Sequence, residues 1–97
     1  MQLFIGKQQI LPDRIRKITS EFDLNSSFDD WVSTSGDENP KNAPADIGWA
    51  CFKTFNLSSD TAIQIGLGLN YNSQKSTMSL YSRIKANNNW QDWKKTF

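Results

Sequence analysis

Histidine is absent from this 97-residue chain, and cysteine occurs once, as Cys51. Without an imidazole there is no Ser–His–Asp or Cys–His nucleophilic machinery and no His-based zinc site. A single thiol closes no internal disulfide and builds no thiolate cluster. Charge of one sign is also lacking, since 11 basic and 10 acidic residues leave a formal net charge of +1. No net field favours nucleic acid or anionic lipid, so a nucleic-acid partner is not expected. No apolar run approaches the ~20 residues that cross a bilayer, so membrane insertion is not expected either. The opening residues 1–7 hold only three consecutive apolar side chains, Leu3-Phe4-Ile5, too few for a secretion signal.

Aliphatic side chains are scarce too. Apolar residues make up 37% of the chain, whereas aromatics reach 12%, with four Trp, six Phe and two Tyr. The core must therefore be built from a few large rings, and so many rings argue against a disordered chain. The length suits one domain.

Period-two patterning dominates the second half. Ile63, Ile65, Leu67 and Leu69 alternate with Gln64, Gly66 and Gly68. This predicts a strand whose Ile/Leu side is buried. Gly66 and Gly68 fall on the other side, where a bulky core residue, a neighbouring subunit or a flat ligand would approach closely. In residues 47–55, Ile47, Trp49, Cys51 and Phe55 share a side, with Lys53 the exception. In residues 77–85, Met78, Leu80 and Ile84 oppose Thr77, Ser79, Tyr81, Arg83 and Lys85. Turn-rich segments at residues 56–60 and 70–76 separate the three runs, which predicts an antiparallel meander.

The first half is less regular. Leu3, Phe4 and Ile5 before Gly6 suit a short strand. Leu11, Ile15, Ile18 and Phe22 recur at helical spacing, with Pro12 suited to a first turn and Arg14, Arg16 and Lys17 on the outer side. Asn25, Ser26 and Ser27 followed by Asp29 and Asp30 read as a helix start, with Phe28, Trp31 and Val32 as its apolar face. Residues 33–44 hold Gly36, Pro40 and Pro44 without a large apolar side chain, and read as a long surface loop. The expected fold is mainly β: a small antiparallel meander or sandwich with one or two short helices in the N-terminal third.

Chemistry is thinly represented. Asp29–Asp30 and Asp37–Glu38 are the densest carboxylate pairs, and sequence neighbours do not face one another on a helix. Residues 35–39 hold three oxygen-bearing candidates for calcium without EF-hand spacing. No catalytic residue, metal or cofactor is expected. Nine Asn and eleven Ser, with exposed rings, suit contact with neutral sugars, because a ring offers a flat apolar face and amides offer planar hydrogen bonds. Tyr71 with Asn70, Asn72 and Gln74 forms the first candidate loop. Trp90 and Trp93 either complete the core or line a groove.

The ordered set Asp23-Leu24-Asn25, Asn42-Ala43-Pro44, Gly48-Trp49, Gln64-Ile65, Tyr81-Ser82-Arg83 and Trp90-Gln91-Asp92-Trp93-Lys94 resembles the pyocin-knob family. These are small modules of phage tail fibres, baseplate receptor-binding proteins and pyocin fibres. The resemblance spans residues 23–97 and leaves 1–22 as a lead-in or attachment segment. Residues 26–32 stand where the family has Thr-x-Gly-Tyr/Phe-Tyr, and Gln91 replaces a common serine.

The resemblance implies a non-enzymatic module in a homotrimeric or otherwise symmetric tail tip. It would be made in the host cytoplasm and sit in the virion tail, at the distal fibre or baseplate. Its partners would be other tail or baseplate proteins and a host cell-surface glycan; alternatively it would be a spacer knob that trimerises the fibre and binds no ligand. Tyr71, Asn72, Gln74, Tyr81, Arg83 and Trp90 are the candidate ligand contacts, with Tyr81 and Arg83 expected on an outer strand face. Asn42, Pro44, Trp49, Gln64 and Trp93 carry the family motif in structural roles.

Overall fold

The computed structural model describes residues 3–5, 8–11, 15–34, 38–45, 47–71 and 76–97. Strands β1 (Leu3–Ile5) and β2 (Gln8–Leu11) pair antiparallel as a two-stranded sheet of their own. All other strands belong to one mixed sheet. Its centre is the expected meander of β5 (Trp49–Asn56), β6 (Ala62–Tyr71) and β7 (Ser76–Ala86). Short β3 (Arg16–Lys17) runs parallel to β4 (Val32–Ser33), which pairs antiparallel with β5. On the far side, β8 (Asn89–Trp90) and β9 (Lys94–Lys95) both pair with β7.

The protein is mainly β, as expected, and no helix occurs among the described residues. Residues 25–32, read as a capped helix, instead run through a turn and bends into β4, which Val32 opens. Asp23 Oδ1 accepts the Asn25 amide at 2.8 Å, and Ser26 N bonds back to Asp23 O at 2.9 Å. A local side-chain acceptor thus closes a tight turn where helix propagation was expected. The helical reading of residues 11–22 also fails where it is described: Leu11 ends β2, and residues 16–17 form β3. Pro12 and Arg14 lie outside the described residues.

The meander registers place four rows on each face. One face carries Ala50–Gly68–Ser79, Phe52–Gly66–Tyr81, Thr54–Gln64–Arg83 and Asn56–Ala62–Lys85. The other carries Trp49–Leu69–Met78, Cys51–Leu67–Leu80, Lys53–Ile65–Ser82 and Phe55–Ile63–Ile84. The core lies on the first of these. Phe52, Ala50 and Tyr81 pack there with Ile18, Leu24, Phe28, Val32 and Ile47, and Phe22, Ala43 and Trp93 close over them.

The buried side expected from the Ile/Leu alternation is therefore the wrong one. Trp49, Phe55, Leu69, Met78 and Ile84 are all exposed. Gly66 and Gly68 supply the reason. A Cβ built on Gly66 would stand 2.6 Å from Phe52 Cε1, and one on Gly68 would stand 3.0 Å from Tyr81 Cε2. Bare backbone at these positions lets the two rings pack directly against β6, so of the three close approaches expected there it is bulky core residues that make it. The ring face then attracts the covering segment 18–28 together with residues 40–45 and Ile47.

Two turns use left-handed backbone. Asn87 and Asn88, at φ 52° and 65°, form the two-residue connection from β7 to β8. Consecutive left-handed residues match the twist of a tight hairpin, and asparagine tolerates them. Asn42, at φ 63°, turns the chain inside the loop that precedes β5.

The slot over Gly66 makes a direct prediction. Gly66→Val should lower stability by about 2–4 kcal/mol, since Phe52 has no room to retreat. Thermal melting should show a fall of roughly 10–25 °C for a domain of this size. Adding Phe52→Leu should recover part of the loss; if Gly66→Val melts like the wild type, the slot is not constraining.

Candidate functional site

Gln64 is fully buried, and Arg83 retains 5% of its accessible surface. They sit side by side in one cross-strand row, where β6 and β7 pair. Gln64 Nε2 donates to Leu24 O at 2.8 Å and to Thr54 Oγ1 at 2.9 Å. Gln64 Oε1 accepts from Arg83 Nε at 2.8 Å. A buried amide must find partners for both of its ends, and this arrangement supplies them.

Two indoles cover the guanidinium. Arg83 Cζ lies 4.2 Å from the Trp90 ring centroid and 4.7 Å from that of Trp93. Arg83 Nη2 is buried without a hydrogen bond. The electron-rich faces of the two rings offset part of that deficit. Burial draws the Arg83 guanidinium down to about 10, against a small opposing pull from Asp23, so it stays charged at neutral pH. Trp93 also packs on Phe52, with centroids 5.7 Å apart, and its indole N–H donates to Asn42 O at 2.8 Å.

Asn42 completes the circuit. Its left-handed backbone presents the carbonyl to Trp93, while its side-chain amide donates to Asp23 Oδ1 at 2.7 Å. Asp23 and Lys41 form an isolated parallel bridge, with Leu24 N on Lys41 O at 3.1 Å and Lys41 N on Phe22 O at 2.8 Å. These two bonds to Asp23, from Asn42 and from the Asn25 amide, hold its carboxyl below the usual range. Residues 23–25, 42, 64, 83 and 93, far apart in sequence, thus belong to one hydrogen-bonded network, with Trp90 stacked at its edge.

A shallow cleft of about 270 Å³ opens beside this network. Its wall includes Arg83, Trp90, Trp93, Asn25, Asn42 and Gln91, with Asp92 beside them. The surface is mixed: two indoles, three amides, a carboxylate and the rim of a guanidinium. It suits a small polar ligand with an apolar flank.

The structure places the other expected residues differently. Tyr81 is not on an outer face: it is buried at 3% exposure, packed in the core beside Gly66 and Gly68. Arg83 is likewise on the covered face, because even-numbered residues of β6 and odd-numbered residues of β7 point to the core. Tyr71 ends β6, away from the cleft, and Asn72 and Gln74 lie outside the described residues. Trp49 is 53% exposed on the opposite face of the sheet and takes no part in the network. Pro44 is buried beside Ala43. Asn25, Asn42 and Gln91 join the cleft without having been singled out as ligand contacts; Asn25 and Asn42 stand in the ordered set that carries the resemblance, whereas Gln91 departs from its pattern.

Comparison with known protein families, with curated proteins and with solved structures finds no match for this chain.

The network yields two expectations. Gln64→Leu should cost about 2–4 kcal/mol, because Arg83 Nε loses the buried Gln64 carbonyl that accepts from it. Gln64→Leu with Arg83→Met should fall short of the sum of the single losses by about 1–3 kcal/mol in a denaturant double-mutant cycle. Strict additivity would show that the two side chains act separately.

For Asp23, the folded carboxyl binds a proton less readily than the unfolded one. Its contribution is therefore complete above the ordinary value of 3.8 and fades as pH falls through the lower folded value. Between about pH 4 and pH 2, the melting temperature of the wild type should drop more steeply than that of Asp23→Asn.

Proposed function

We propose that this chain is a non-enzymatic module of a phage or prophage tail fibre or baseplate that binds a host-surface saccharide during adsorption. The observation that carries the reading is the cleft beside Arg83, where Trp90 and Trp93 meet the amides of Asn25, Asn42 and Gln91. Sugar rings present an apolar face flanked by hydroxyl groups. Indoles take the first, and fixed amide and guanidinium donors take the second. The site is preorganised, since Trp93, Asn42 and Arg83 are already held by the network and lose little freedom on binding.

The phage setting rests on the resemblance of residues 23–97 to the pyocin-knob family. That Asp23, Leu24, Asn25, Asn42, Gln64, Arg83 and Trp93 from the resembling set converge on one network supports it, because it gives their order and spacing a common physical reason. In this reading the chain works in the virion tail beside other tail or baseplate proteins, in a symmetric assembly of its own copies, without a cofactor. Shallow clefts bind sugars weakly, and repetition of the module raises the overall strength. A second reading, a spacer knob that assembles the fibre without binding a ligand, is favoured by the open apolar face of the sheet.

Glycan-array binding of the native protein, followed by indole fluorescence titration, separates the two. The expected result is saturable quenching by a bacterial surface saccharide, weakened about tenfold or more by Trp90→Ala. Gln91→Ala, outside the network, should weaken it less. Failure of the wild type to bind any bacterial surface glycan, at concentrations reaching the millimolar range, would leave the spacer reading in place.

A further inference from the structure

The face of the meander away from the core is almost wholly apolar. Of the twelve positions in its four rows, only Lys53 and Ser82 are polar. Trp49, Met78, Ile84, Leu69 and Phe55 expose 53%, 54%, 47%, 46% and 43% of their surface, and Cys51, Ile63, Ile65, Leu67 and Leu80 are partly exposed between them. A surface sheet of a lone domain alternates apolar-in with polar-out. Here the pattern is inverted. The covered face holds Gln64, Arg83, Thr54 and Ser79, and the open face holds the aliphatic residues.

Area decides what this face is for. Half-exposed large side chains leave on the order of 100 Å² each in water. The five named above, with the five partly exposed residues between them, present roughly 700 Å² of contiguous apolar surface. That exceeds the ~300–600 Å² of the largest patch on a typical monomer. It comes close to the ~800 Å² that each partner buries in a stable interface.

We infer that this face packs against the same face of a second copy of the chain, sheet on sheet. Self-pairing fits the composition. A surface free of carboxylates, with Lys53 turned to its edge by bonding to Asp29 O, meets its own copy without facing like charges at the centre. The surface is also not flat. A hollow of about 250 Å³ lined by Trp49, Cys51, Leu67 and Leu69 indents one end. The exposed rings and methyl groups of another copy are the right size to fill it. Stacked sheets bring inner faces within ~10 Å, so that side chains from both interdigitate. The inference uses no residue of the Arg83 cleft and stands whether or not that cleft takes a saccharide.

Cys51 provides a probe inside the face. It is partly buried beside Leu67 and Leu80, and burial already pushes its thiol up. Sedimentation equilibrium or light scattering on the full chain at tens of micromolar should give twice 11.1 kDa or a higher even multiple of it. Cys51 should resist a neutral thiol reagent in that state. Leu67→Glu puts a charge at the centre of the face. It should raise the dissociation constant by about 100-fold or more and open Cys51 to the reagent, with the β-type circular dichroism retained. If Leu67→Glu does not fold, dilution of the wild type gives the same reading: Cys51 reactivity should rise together with dissociation. A wild type that is monomeric at these concentrations overturns the inference, whether Cys51 is reactive or protected by another part of its own chain. So does an oligomer whose mass and Cys51 protection survive Leu67→Glu.

Discussion

The bond between Arg83 Nε and Gln64 Oε1 is the point on which the rest of the molecule turns. It lies across adjacent strands, within the covered face of the sheet. A guanidinium there is costly unless both its charge and its hydrogens are accommodated. The sequence supplies the accommodation from three directions. Gln64 relays the contact to Leu24 O and Thr54, Trp90 and Trp93 stack on the charge, and Trp93 hands the chain on to Asn42. Each covering segment is thus tied to the sheet by a polar contact as well as by packing. A core with so few aliphatic residues gains from this arrangement the definition that apolar packing alone would not give it.

The two faces of the sheet follow from the same constraint. Rings at this distance need bare backbone to pack on, and Gly66 and Gly68 provide it under Phe52 and Tyr81. Once the rings occupy that side, the loops that carry Leu24, Phe28 and Ile47 collapse onto it. The Ile and Leu residues of β6 are left on the other side. Polar inside and aliphatic outside is unstable arithmetic for an isolated domain, and it becomes sensible when the outside of one copy is the inside of an assembly.

The three meander strands and their antiparallel order were legible from period-two patterning, because side-chain alternation reports directly on pleat geometry; the short strands β3, β4, β8 and β9 were not. Which face is buried was not. Patterning compares hydrophobicity within one strand, whereas here the choice depends on rings from β5 and β7 that overlie glycines of β6. The helix expected at residues 25–32 failed for a related reason. Its cap residues are real, but Asp23 spends its carboxylate on the Asn25 amide and the Asn42 side chain, and the chain turns instead of coiling. Of the site residues, Arg83, Trp90, Gln64, Asn42 and Trp93 were within reach of the motif, and the structure joins them. Tyr81 was misplaced with the face, since its exposure was read from the same alternation.

Separation along the chain gives these parts an order in time. Trp90 reaches Arg83 across the two-residue β7–β8 turn, whereas Leu24 O meets Gln64 from 40 positions upstream. Closing a short loop costs less chain entropy than closing a long one. The indole roof therefore assembles together with the meander, and docking of the N-terminal segment onto that roofed face is the slower, non-local event.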